Sequence, residues 1–171
     1  MLEFILGSVF RMSLVEIDGL KEILETKNKP RLLEIGSYQG HTTCYISQVC
    51  SQIRSWKEHD PRKFNTYFDE HLSINGIVNV DKFEFIDIEE LTHEFDIDGI
   101  FVDYLLTEDW IPQLTNYFKK IKVWKIIRKI DDYKTLIEGL KSTHDFSENH
   151  FFILCEPKKK KPSRIKKNST T

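Results

Sequence analysis

At 171 residues and 20.3 kDa the chain can form one domain with its own core, and its 40% apolar and 30% charged content is that of an ordinary globular protein. It has no apolar run near the roughly 18 residues of a membrane-spanning helix and no basic segment plus small-residue cleavage site of a secretory signal. Its three cysteines, Cys44, Cys50 and Cys155, suit neither a disulfide framework nor a zinc cluster and fit a reducing, cytoplasmic setting.

The net charge of −2 hides an asymmetry. From Pro157 to Thr171 the chain holds seven basic residues and no acid, which leaves 18 basic and 27 acidic residues in the body. The expected organisation is therefore a folded domain over 1–156, with 1–30 an N-terminal helical segment, and a disordered basic tail over 157–171. Such a tail solubilises, directs nuclear import in a eukaryotic host, or touches nucleic acid through phosphates. The sequence contains no alanine, which no folding rule requires; coding bias in an AT-rich genome, such as a viral one, accounts for it.

In chain order, Ser13–Lys27 reads as an amphipathic helix. Ser13 and Glu16 form a capping-box pattern, and Leu14, Ile17, Leu20, Ile23 and Leu24 share a face. Leu32–Ile35 is a buried strand ending at Gly36. A helix is expected over Thr42–Gln52, a strand over Ile53–His59 and a helix over Pro61–Leu72. Strands follow at Phe83–Ile86 and Ile100–Val102. Glu108–Lys119 is helical, Val123–Ile130 a fifth strand, Tyr133–Lys141 a helix and Phe151–Cys155 a single last strand. This alternation predicts an α/β, Rossmann-like three-layer αβα sandwich, its sheet mostly parallel and its C-terminal part shortened.

The turn after the first strand, Glu34-Ile-Gly36-Ser37-Tyr38-Gln39-Gly40, carries the clearest signal. Two of the chain's seven glycines stand four apart here, where a βα turn brings backbone close to a ligand. The helix that follows would offer free N–H groups to a carboxylate or phosphate. The spacing is neither GxGxxG nor that of a P-loop. Glu34 disfavours a phosphate and suits an ammonium. Glu58, at the end of the second strand, suits a ribose diol, and Asp87, after the third, an adenine amino group.

These segments, LEIGSYQGHTT, KEHDP, FEFIDIEEL and FDIDGIFVDYL, resemble the successive motifs of class I S-adenosylmethionine-dependent methyltransferases, in particular small O-methyltransferases. The resemblance spans about Leu14 to Phe118. It implies that Gly36, Ser37, Tyr38 and Gly40 line the methionine part of the cofactor and that Glu34 sits by its amino group. It further implies that Glu58 holds the ribose, His59 flanks the adenine, and Asp87 and Ile88 meet its edge. Asp103, ending the fourth strand, would face the transferred methyl group. The Asn-Pro-Pro signature of amino-methylating enzymes is absent; the fourth strand runs into Val102-Asp103-Tyr104-Leu105.

Asp103 with Asp131 and Asp132 could converge on Mg²⁺, an arrangement that resembles metal-dependent O-methyltransferases. Asp131 also suits a helix N-cap. His41 and His93 are candidate bases, although a histidine beside a loop is more often a surface group. Trp56, Trp110 and Trp124 could stack a planar substrate or simply pack. The expected activity is methyl transfer to an oxygen or nitrogen of a small molecule. The alternatives are a nucleic-acid or protein methyltransferase tethered by the tail, and an inactive methyltransferase-like binding protein.

Overall fold

A computed structural model describes residues 2–6, 8, 10–57, 66–84, 96–103 and 110–159. The alternation read from the sequence becomes a doubly wound sheet. The elements are α1 (Leu14–Glu25), β1 (Arg31–Ile35), α2 (His41–Ile46), β2 (Gln52–Lys57), α3 (Thr66–Ile74), β3 (Val80–Glu84) and β4 (Gly99–Val102). After them come α4 (Trp110–Lys120), β5 (Trp124–Arg128), a 3₁₀ turn at Asp131–Tyr133, α5 (Lys134–Leu140), β6 (His144–Glu148) and β7 (Phe152–Pro157). The strand order is β3-β2-β1-β4-β5-β7-β6. β1 to β5 are parallel, and β7 runs antiparallel to both its neighbours.

Alternate strand residues feed two cores. Leu33, Ile35, Ile100, Val102 and Ile127 meet Leu114 and Phe118 of α4 and Leu136 and Leu140 of α5. On the other face Leu32, Phe101 and Ile126 meet Ile17, Leu20 and Leu24 of α1 and Ile46 of α2. Each fully buried side chain of this size contributes about 1.5–3 kcal/mol, and burial on both faces is why these strands read as continuous apolar runs.

The capping box forms: Ser13 Oγ accepts from the Glu16 N–H, and the Ser13 N–H donates to Glu16 Oε2 at 2.8 Å. Leu14, expected on the buried face, is exposed. α2 is six residues long, not the longer helix expected. It stops because Ser47 Oγ donates to the Cys44 carbonyl, while the Asn79 amide donates to the carbonyls of Ser47 and Cys50. Of the helix expected over 61–72, residues 61–65 lie outside the described residues.

The single C-terminal strand expected is corrected to a β6–β7 hairpin. Only His144 of β6 is buried and the next four residues are exposed, so His-Asp-Phe-Ser-Glu has no apolar alternation to read. His144 pins this edge strand. Its Nε2 meets Lys125 Nζ at 2.7 Å, and its Nδ1 meets Thr143 Oγ1 at 2.8 Å. Lys125 is wholly buried and also donates to the Ile121 carbonyl at 2.7 Å. Burial pushes the lysine pKa down to about 8 and, with the lysine's charge, that of His144 to about 4. Among the described residues no helix is long and apolar enough to cross a membrane. The three cysteines are free and buried.

Candidate functional site

Sheet order reverses between β1 and β4, and ligands of such sheets bind at the carboxyl ends of the strands beside that point. The register levels the residues there. Ile35 pairs with Val102, and Val102 with Ile127, so Gly36, Asp103 and Arg128 stand one step beyond three neighbouring strands.

The turn from Gly36 to Gly40 is held in left-handed backbone. Gly36 has φ 98°, Tyr38 50° and Gly40 82°. Gly36 and Ser37 both donate their N–H to the Trp56 carbonyl, at 3.2 and 3.3 Å, and Gly40 donates to the Ser37 carbonyl at 2.9 Å. A Cβ on Gly40 would come within 2.6 Å of the Phe68 ring.

Glu34 lies beneath this turn, fully buried. Its Oε2 accepts from Thr43 Oγ1 and Ser55 Oγ, each at 2.7 Å, while its Oε1 has no partner among the described residues. Burial raises its pKa to about 7 against the pull of those two hydroxyls. A buried oxygen without a donor is costly, and it suits the ammonium expected from the sequence.

Asp103 is buried, and its Oδ1 accepts from Arg128 Nη1 at 3.2 Å. The same guanidinium grips Glu16 Oε1, at 2.7 Å from Nη2 and 3.1 Å from Nε, and donates to the Arg11 carbonyl at 3.2 Å. Burial raises the Asp103 pKa; the charges of Arg128 and Arg11 oppose that without cancelling it. Burial works the same way on Glu16, but the Ser13 N–H and Arg128 outweigh it and leave its pKa lowered.

The expected metal centre does not assemble. Among the described residues no three His, Cys, Asp or Glu side chains are grouped to hold an ion. Arg128 holds the Asp103 carboxylate, and the exposed Asp131 pairs with Lys134 at 2.8 Å. Nor does Asp131 cap α5, which begins after Tyr133 with no side-chain cap. The Asp132 side chain, Glu58, His59, Asp87, Ile88 and His93 lie outside the described residues, as does the Trp110 side chain. The strands leading to the ribose and adenine candidates do end level at this edge, Lys57 opposite Glu84.

His41 is buried, not on the surface as expected. Ser8 gives its hydroxyl proton to the Ile5 carbonyl, so His41 Nε2 donates to Ser8 Oγ, at 2.8 Å. Phe10 and Phe4 pack on its ring, with centroids 4.0 and 4.9 Å away. Burial, helped by His71, pushes its pKa down to about 4, so it is neutral at physiological pH. Trp56 belongs to the core, and Trp124 is half-buried under Lys27.

Two contributors escape sequence reasoning. One is Arg128, which falls inside the expected strand Val123–Ile130 and which only the register of the sheet brings level with Asp103. The other is the N-terminal segment, whose apolar run has no period. Phe4 joins the Cys44–Phe68–Leu72 cluster. The Glu3 N–H donates to Asn75 Oδ1, and the Ile5 N–H to His71 Nε2. The Arg11 guanidinium lies 5.3 Å from the centre of the Tyr38 ring. Arg11, Gly36, Tyr38, Gln39, His41 and Asp103 border a space of only about 10 Å³.

No protein-family model matches the chain, and no curated protein matches it. Solved structures do. The SAH-bound methyltransferase PaMTH1 of Podospora anserina is 17% identical with a TM-score of 0.64, over 86% of this chain and 80% of that one. The O-methyltransferase TomG of Streptomyces achromogenes, involved in tomaymycin synthesis and solved with SAM, is 14% identical with a TM-score of 0.61, over 86% and 82%. A dimethyladenosine transferase of Plasmodium falciparum is 14% identical with a TM-score of 0.61, over 85% and 62%. The chain has the fold of class I S-adenosylmethionine-dependent methyltransferases.

Proposed function

We propose that this protein is an S-adenosylmethionine-dependent methyltransferase acting on an oxygen or nitrogen of a small acceptor. The observation that carries the reading is Glu34, a fully buried carboxylate with one unpartnered oxygen under a left-handed turn at the switch point of the sheet. The ammonium of the cofactor's amino-acid end matches that oxygen, and the cofactors bound in the similar structures support the choice.

In this reading Gly36, Ser37, Tyr38 and Gly40 line the methionine part. Glu58 holds the ribose, His59 flanks the adenine, and Asp87 and Ile88 meet its edge. The cofactor supplies an electrophilic methyl group on a sulfonium, which needs chiefly an aligned acceptor. Asp103 borders that position. Its burial raises its affinity for the acceptor's proton, and Arg128 fixes the plane of its carboxylate. Among the described residues Asp103 and Asp131 are engaged by Arg128 and Lys134, so no donor set there supports a metal-assisted step.

One observation favours a second reading, a methyltransferase-like binding protein without turnover. Asp103 and His41, the two candidate bases among the described residues, both have hydrogen-bond partners already. The basic tail adds a partner proposal. The partner it suits is nucleic acid, met through phosphates, and the described chain enters this tail at Pro157, which pairs with His144 at the amino edge of the sheet.

The test is calorimetric titration with S-adenosylmethionine and S-adenosylhomocysteine, comparing wild type with Gly36→Trp. We expect micromolar binding, about −8 kcal/mol, lost in the variant while its circular dichroism stays native. A folded wild type that binds neither ligand would sink the proposal. Binding without turnover on any acceptor, unchanged in Asp103→Asn, would favour the second reading.

A further inference from the structure

We infer that Arg11, carried on the N-terminal segment, is the anion clamp of this site and holds the carboxylate of a ligand's amino-acid end. The inference rests on the cofactor reading above. An amino-acid end is a zwitterion, so a site that seats it needs a partner for each charge. Glu34 Oε1 answers the ammonium, while the carboxylate finds no charged partner in the turn itself, and the six-residue α2 brings only the first N–H groups of a short helix. The N–H groups of Gly36, Ser37 and Gly40 are turned into the protein, onto the carbonyls of Trp56 and Ser37.

Two guanidinium groups lie at this edge, and their states differ. Arg128 spends four of its five N–H donors on Glu16, Asp103 and the Arg11 carbonyl. Arg11 has five N–H donors and, among the described residues, one long hydrogen bond, from Nη1 to the Asp103 carbonyl at 3.5 Å. Otherwise it rests on the Tyr38 ring. No carboxylate of a described residue lies within bonding distance of it. It is a half-buried cation with spare donors beside the glycine turn.

Its delivery is built into the fold. The preceding segment is fastened by Glu3 to Asn75, by Ile5 to His71 and by Phe10 to His41. Arg128 holds the Arg11 backbone, and the next residue, Met12, is buried. The backbone is thus fixed while the long side chain is free to swing. It must swing, because the space of about 10 Å³ between it and the turn is scarcely enough for one water. Arg11 leaving Tyr38 opens room for the amino-acid end, and its fork then closes on the carboxylate as a charge-assisted pair.

The test separates the two ends of the ligand. Full-length wild type, Arg11→Met and Arg11→Lys are titrated with S-adenosylhomocysteine and with 5′-methylthioadenosine, which keeps the nucleoside and thioether and lacks the amino-acid end. We expect Arg11→Met to weaken S-adenosylhomocysteine roughly 30-fold, the scale of a lost charged hydrogen-bond pair, and to leave 5′-methylthioadenosine within about 2-fold of wild type. Arg11→Lys should recover part of the loss, because it keeps the charge without the fork. Unchanged 5′-methylthioadenosine binding also shows the variant is folded. Equal losses for both ligands would make Arg11 a packing residue of the segment and overturn the inference. So would no loss for either. A wild type that binds neither compound would instead fail the cofactor reading and take this inference with it.

Discussion

Arg128 joins two acids from different elements, Glu16 on α1 and Asp103 after β4. It is the residue on which the electrostatics of this edge depend. Removing one partner of a buried charge group leaves the others uncompensated. Arg128→Met keeps most of the volume and removes the charge, so we expect a loss of about 3 kcal/mol in urea unfolding. Adding Asp103→Asn should restore part of it, a coupling that a double-mutant cycle reads directly. The sequence made Asp103 visible as an acid at a strand end. It left Arg128 unassigned, because a pair between strand ends depends on register, and register is set by the whole sheet.

At the scale of elements, two buried histidines tie secondary structure to pH. His41 opens α2 under the N-terminal segment, and His144 opens β6 against Lys125. Both have native pKa values of about 4, below the ordinary 6.5. Between those values the unfolded chain binds more protons than the native one, so stability falls as pH drops from about 6.5 to 4. Glu34 works the other way. Its native pKa is about 7 against an ordinary 4.5, so acidification through that window favours the native state. Asp103, whose pKa burial also raises, acts with Glu34, so the histidine contribution is read by difference: the urea midpoint of wild type should fall relative to that of His144→Phe as pH drops from about 6.5 to 4. A difference between the two that is independent of pH over that range would contradict the assignment. Lys125 acts at the other end: with a native pKa near 8 against 10.5, it adds stability as pH rises between them. α1 was legible in the sequence to its capping box, because a cap is local chemistry. β6 was not, since one buried residue in five gives no period. The N-terminal segment was not either: its described residues are in neither helix nor strand, and its fastenings to Asn75 and His71 span more than sixty residues.

For the whole molecule, the fold was readable because each strand buried on both faces announces itself as an apolar run and each crossover has helix length. Half of the site was readable too. The glycine turn and Glu34 are contiguous in sequence and meet in space, while of the acids expected to share a metal Asp103 and Asp131 are instead paired with Arg128 and Lys134, the first a partner that no local spacing announces. The acceptor stays a matter of the site and not of the fold.

The two ends of the described chain leave from opposite edges of the sheet. Leu2 and Phe4 pack by the glycine turn, whereas Pro157 closes β7 at the amino edge. Cargo attached to the two termini should therefore have unequal effects. A bulky fusion ahead of Leu2 pulls on the segment that carries Arg11 and should weaken S-adenosylhomocysteine binding several-fold. The same fusion, or a solid support, joined beyond Thr171 should leave that affinity unchanged, so the protein is best immobilised by its basic end.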